Sequence, residues 1–115
     1  MELNLNNKSA LVCGSTQGIG HAAAVALASE GTRVTLVARN EEKLKKIVSE
    51  LPKTAAHDYI VADFSNPEEL KINVEKYLNS HKGFHILINN TGGPRSGAIL
   101  EATLEQFESA FTQHL

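Results

Sequence analysis

The sequence predicts a three-layer α/β sandwich built on a parallel sheet of strand order 3-2-1-4, and three observations predict it. Short β-branched apolar runs alternate with longer stretches of helical period, the pattern that builds a parallel sheet with helices on both faces. The runs are apolar almost without interruption, as strands covered on both sides are. A glycine-rich turn, Gly14-Ser15-Thr16-Gln17-Gly18-Ile19-Gly20, links the first run to the first helical stretch.

The first strand is read at Ala10-Leu11-Val12-Cys13. The first helix runs from about Gly18 to Glu30; its many alanines make it helix-forming and thin enough to lie close on a sheet, and Gly31 supplies its stop. The second strand is Val34-Thr35-Leu36-Val37. The second helix takes Asn40 as N-cap, with Glu41 and Glu42 at the positive end of its dipole and expected to pair with Lys45 and Lys46. Leu44, Ile47, Val48 and Leu51 form its buried stripe, and Pro52 closes it. Tyr59-Ile60-Val61-Ala62 is the third strand. In the third helix Asn66 is the N-cap, Pro67 the first helical position and Glu69 the partner in a Pro-initiated capping box. Leu70, Val74, Tyr77 and Leu78 are its apolar face, His81 and Lys82 its last turn, and Gly83 its C-terminal cap. After the fourth strand, Ile86-Leu87-Ile88, a last helical pattern begins near Thr103, with Leu104, Phe107, Phe111 and Leu115 on one face. No stop signal closes it, so the fold is expected to be truncated after the helix that follows strand 4.

A chain of 115 residues suits a single domain spanning 1–115, and 42% hydrophobic with 21% charged residues is ordinary for a soluble globular protein. The net charge of -2 and the scattered Lys43, Lys45 and Lys46 give no footprint for nucleic acid. Met1 to Lys8 lacks a signal peptide's apolar stretch, and no window nears the roughly 20 apolar residues that span a bilayer, so a cytoplasmic protein without membrane contact is expected. Cys13 is the only cysteine, which excludes an intrachain disulfide and a Cys-based metal site.

The glycine spacing has a physical meaning. One glycine turns the chain off the strand, the next lets backbone N–H groups approach a diphosphate, and the last lets the helix pack closely on the sheet. Unpaired N–H groups and the positive helix end at Ile19 then face phosphate oxygens. A plain turn between strand and helix uses glycines too, so the loop alone leaves both readings open.

Three motifs in order narrow the choice. Gly14-x-x-x-Gly18-Ile19-Gly20, Asp63 after the third strand and Asn89-Asn90-Thr91-Gly92 after the fourth closely resemble the short-chain dehydrogenase/reductases, and Gly92-Gly93-Pro94 is similar to 3-oxoacyl-carrier-protein reductase-like members. The resemblance, which covers nearly the whole chain, implies a Rossmann-type fold with the ligand crevice between strands 1 and 4. It implies that Gly14, Ser15, Thr16, Gln17, Gly18, Ile19 and Gly20 wrap a dinucleotide's diphosphate. Asp63, with Phe64 beside it, would border the adenine and accept from its amino group, and Asn90 and Gly92 would border the ribose and nicotinamide. Each also has a local reading: Asp63 starts a turn into Phe64-Ser65, and Asn90 ties neighbouring strands. Cys13, where the family usually has threonine, reads as a small buried residue.

About 20 residues past the glycine turn, an NAD site places an acidic residue for the ribose hydroxyls and an NADP site places arginine for the 2′-phosphate. Here the residues are Ala38-Arg39-Asn40, and a guanidinium fork suits a phosphate that a carboxylate would repel. NADP(H) is therefore expected over NAD(H), although Gln17 supplies no second positive charge.

Reduction in the resembled family uses a tyrosine as proton donor, a lysine four residues on, a serine and an asparagine. The only tyrosines are Tyr59 and Tyr77, followed four residues later by Asp63 and His81, and the asparagine's place falls near His114. His21, His57, His81, His85 and His114 show no ligand spacing, and Ser15 has no paired base. Arg95 and Ser96 border a substrate pocket or are simply polar loop residues. The expectation is the cofactor-binding N-terminal portion of an NADPH-dependent carbonyl reductase, inactive by itself. The alternatives are a non-catalytic module for a dinucleotide or a protein partner and, more remotely, a methyltransferase. An open fourth-strand edge and the last helix's apolar stripe predict a homo-oligomer.

Overall fold

A computed structural model describes residues 8–14, 18–81, 83–89 and 102. Its elements alternate: β1 (Ser9–Cys13), α1 (Gly18–Ser29), β2 (Arg33–Ala38), α2 (Glu41–Glu50), β3 (Asp58–Val61), α3 (Pro67–Ser80) and β4 (Ile86–Asn89). The four strands form one sheet in the order β3-β2-β1-β4, all pairs parallel, as the apolar runs predict. The order reverses between β1 and β4, where Cys13 lies opposite Asn89.

Two hydrophobic clusters account for the uninterrupted apolar strands, because alternate side chains leave the sheet toward opposite faces. Leu11, Cys13, Val37 and Ile60 join Leu70, Val74 and Leu78 of α3. Ala10, Val12, Val34 and Leu36 join Ala24 and Ala28 of α1 and Leu44 and Ile47 of α2. Ala24 and Ala28 are fully buried, so α1 meets the sheet through methyl groups and comes close to it.

The helix ends agree with the sequence in part. Gly31, at φ 89°, turns the chain after α1. The Asn40 side chain accepts from Lys43 N–H at 3.1 Å, and Leu51, ahead of Pro52, ends α2 in extended conformation. Lys45 and Lys46 do not form the expected ion pairs with Glu41 and Glu42; solvent serves exposed charges as well, and Glu41 instead accepts from the Tyr59 hydroxyl at 2.9 Å.

Asn66 caps α3 by accepting from Glu69 N–H at 3.3 Å, but the reciprocal half of the box differs. The Asn66 N–H is already taken by the Asp63 carbonyl at 2.9 Å, so Glu69 accepts from the Asp63 N–H, at 3.3 Å. At the other end His81, not Gly83, is the C-cap, in extended conformation. Its ring Nδ1 donates to the Tyr77 carbonyl at 2.9 Å, which satisfies one of the open carbonyls without a left-handed glycine. The last helical pattern from Thr103 lies outside the described residues, where only Ala102 is described, as helical.

Candidate functional site

In a parallel sheet every strand ends on the same rim, so residues that directly follow β1, β2 and β3 share one edge. Gly14 follows β1, Arg39 follows β2, and Asp63 and Phe64 lie just past β3. Gly14 has φ 72°, which a side chain would oppose, and its N–H donates to the Val37 carbonyl at 3.0 Å. Gly18, Ile19 and Gly20 form the first turn of α1, whose opening N–H groups have no partner within the helix. Gly20 is buried, at a place where a Cβ would hold the helix off the sheet. Ser15, Thr16 and Gln17 lie outside the described residues, as do Asn90, Gly92, Arg95, Ser96 and His114.

Arg39 and Asp63, 24 positions apart in sequence, follow the neighbouring parallel strands β2 and β3 and so share this rim. The Asp63 carboxyl is held below its ordinary 3.8, first by the hydroxyl and backbone N–H of Ser65, then by Arg39. Both Ser65 groups donate to Oδ1, at 2.7 Å from Oγ and 2.9 Å from the backbone N. Phe64 is half-buried and packs on the cluster that contains Leu70 and Phe84. The rim thus holds a glycine turn at a helix start, an exposed cation and a fixed anion.

Neither tyrosine is primed to give up a proton. Burial pushes the Tyr77 phenol above its ordinary 10.0, and its hydroxyl lies 3.2 Å from Thr35 Oγ1. The hydrogen bond to Glu41 pushes Tyr59 up as well. Cys13 is fully buried, and burial pushes its thiol up to about 12, so it packs and does not react.

His57, His81 and His85 gather at the opposite, N-terminal edge of the sheet. Val34 N–H donates to His57 Nδ1 and Ser9 N–H to His85 Nδ1, both at 3.1 Å, and His57 Nε2 lies 2.8 Å from the Pro52 carbonyl. His81 stacks on Tyr77 at 3.9 Å between ring centroids. A depression of about 330 Å³ opens there, lined by His57, Asp58, Tyr77 and His81 among others. Helical and strand periods carry no signal for these ring-to-backbone bonds. Among the described residues no group of three His, Cys, Asp or Glu side chains could hold a metal ion, and no helix is long and apolar enough to cross a membrane.

A parallel 3-2-1-4 sheet with a glycine turn at its point of reversal defines a Rossmann-type α/β fold. A model of the short chain dehydrogenases matches residues 8–114, and the chain belongs to that oxidoreductase family. It is 42% identical over 85 residues to inactive hydroxysteroid dehydrogenase-like protein 1 of Homo sapiens, covering 72% of this chain and 26% of that one. With glucose 1-dehydrogenase of Gluconobacter oxydans the identity is 34% over 103 residues, 88% of this chain and 39% of the relative. The structure of L-sorbose reductase from Gluconobacter frateurii, complexed with NADPH and L-sorbose, superposes with a TM-score of 0.81 at 27% identity, over 90% of this chain and 48% of the other. The chain therefore spans about a quarter to a half of the length of these relatives.

Proposed function

We propose that residues 1–115 form the NADP(H)-binding unit of a reductase that acts on a carbonyl substrate. The observation that carries this reading is that Gly14, the exposed Arg39 and Asp63 directly follow β1, β2 and β3 and so share one rim of the parallel sheet. In it, Gly14 to Gly20 present backbone N–H groups to the diphosphate, Arg39 clamps the 2′-phosphate, and Asp63, with Phe64 alongside, accepts from the adenine amino group. Asn90 and Gly92 complete the reading at the ribose and nicotinamide. The residues present fit such a group: Gly14 turns the chain at φ 72° where a Cβ would intrude, the start of α1 offers open N–H groups, and Arg39 is exposed. The dinucleotide supplies a hydride, and the protein's part is to bind and orient it. The NADPH complex of the related L-sorbose reductase supports the choice of cofactor.

No Tyr-x-x-x-Lys stands in the 115 residues, and both tyrosines are tied into the fold. The chain by itself is therefore expected to bind NADPH without oxidising it; oxidation above background with a panel of ketones and aldehydes would contradict this. A second reading, a binding module without turnover, draws on the relative whose name calls it inactive. Association into a homo-oligomer belongs to the same proposal, since β4 pairs with β1 alone among the described residues. Sedimentation should give a mass that rises with concentration, and a constant monomer mass would refute it. Cys13, a lone buried thiol, suits a reducing cytoplasm.

The test of cofactor choice is Arg39→Asp. Its NADPH affinity should fall at least about tenfold relative to NADH, because a charge-assisted fork becomes a repulsion. An unchanged ratio removes Arg39 from the site.

A further inference from the structure

Asp63 opens an ordinary turn, its Oδ1 accepting from the N–H two residues on and its carbonyl from the N–H three on, and the Ser65 hydroxyl adds to Oδ1 a bond that the turn does not use. The Asp63 N–H donates to Glu69 Oε1 and its carbonyl accepts from Asn66, so its backbone is fixed from both sides. Its Oδ1 receives both donors of Ser65, while Oδ2 has no hydrogen-bond donor among the described residues. A carboxylate with one oxygen doubly occupied cannot rotate freely, and the other oxygen is left as its available acceptor. Arg39 is the cation near it, and Glu69 is occupied at the backbone.

We propose that Ser65 is a positioning residue for base recognition, pinning Oδ1 of Asp63 so that the second oxygen reads an exocyclic amino group on the purine. The proposal rests on the cofactor reading given above and adds to it a determinant of base specificity. Adenine offers an amino group to that oxygen; hypoxanthine offers a carbonyl, which a carboxylate repels. A Ser65 that merely closed a turn would affect both bases alike.

The probes are NADPH and its reduced hypoxanthine analogue, titrated against the full chain. The unmodified chain should prefer NADPH by about tenfold, the worth of one hydrogen bond to a charged group. In Ser65→Ala the preference should shrink about threefold, since one of two pinning donors is lost, and Ser65→Thr should restore it. Asp63→Asn gives a second, sharper readout. With Ser65 donating to the amide oxygen, the NH2 group faces the base and the preference should invert toward hypoxanthine; adding Ser65→Ala should weaken that inversion. Equal ratios in the unmodified chain and Ser65→Ala, or no inversion in Asp63→Asn, overturn the role of Ser65. Binding of both dinucleotides without discrimination overturns the base reading by Asp63 and leaves the phosphate site standing. Binding of neither overturns the cofactor reading itself.

Discussion

His85 accepts a hydrogen bond from the Ser9 N–H through Nδ1, and only a ring unprotonated at that nitrogen can do so. Burial, and then the charge of Lys8, hold its pKa below the ordinary 6.5. A folded-state pKa that is lowered means stability present above about pH 6.5 and lost as pH falls through the lower folded-state value. Urea midpoints compared at about pH 7.5 and pH 5 should show this loss, and His85→Asn, which keeps an acceptor but does not titrate, should reduce it. Identical losses in both proteins would contradict the assignment. At this scale the sequence was legible wherever a residue acts through its own size or backbone freedom: Gly14 at positive φ, Cys13 as a small buried residue. It was silent where a side chain serves distant backbone, as His57 and His85 do, because no local period records a bond spanning 23 or 76 positions.

Among the elements, α1 shows how composition sets a distance. Ala24 and Ala28 are fully buried against β-strand residues, so α1, which opens with Gly18 and Gly20, lies close on the sheet. Ala24→Leu should cost about 1–3 kcal/mol by overpacking, measured by denaturant unfolding, and should weaken NADPH binding as α1 is pushed outward. A variant as stable as the unmodified chain would show that α1 is not held against the sheet there. Asn40 caps the helix that follows Arg39, and Asn40→Ala should cost about 1 kcal/mol. Existence and type of the described elements were legible from their periods. Their ends were less so: the α3 cap fell to the His81 ring, and Glu69 went to Asp63, because both outcomes depend on which neighbouring group was already bonded.

For the molecule as a whole, the sheet divides the core into two layers that share only the strands. Leu11 is fully buried in a central strand, and Leu11→Ala should cost about 2–5 kcal/mol with loss of both helical layers together. The strand order was legible because a βαβ repeat with right-handed crossovers leaves few arrangements, and the glycine turn marks where the order reverses. The substrate was not legible, since Arg95 and Ser96 were open to a plain loop reading and lie outside the described residues. On the proposed reading the rim is the place for a dinucleotide with a 2′-phosphate. Calorimetric titration of the unmodified chain with NADPH and, separately, NADH is the most direct measurement: NADPH should bind the more tightly, whereas equal affinities, or no heat with either, would contradict the reading of this rim as an NADP(H) site.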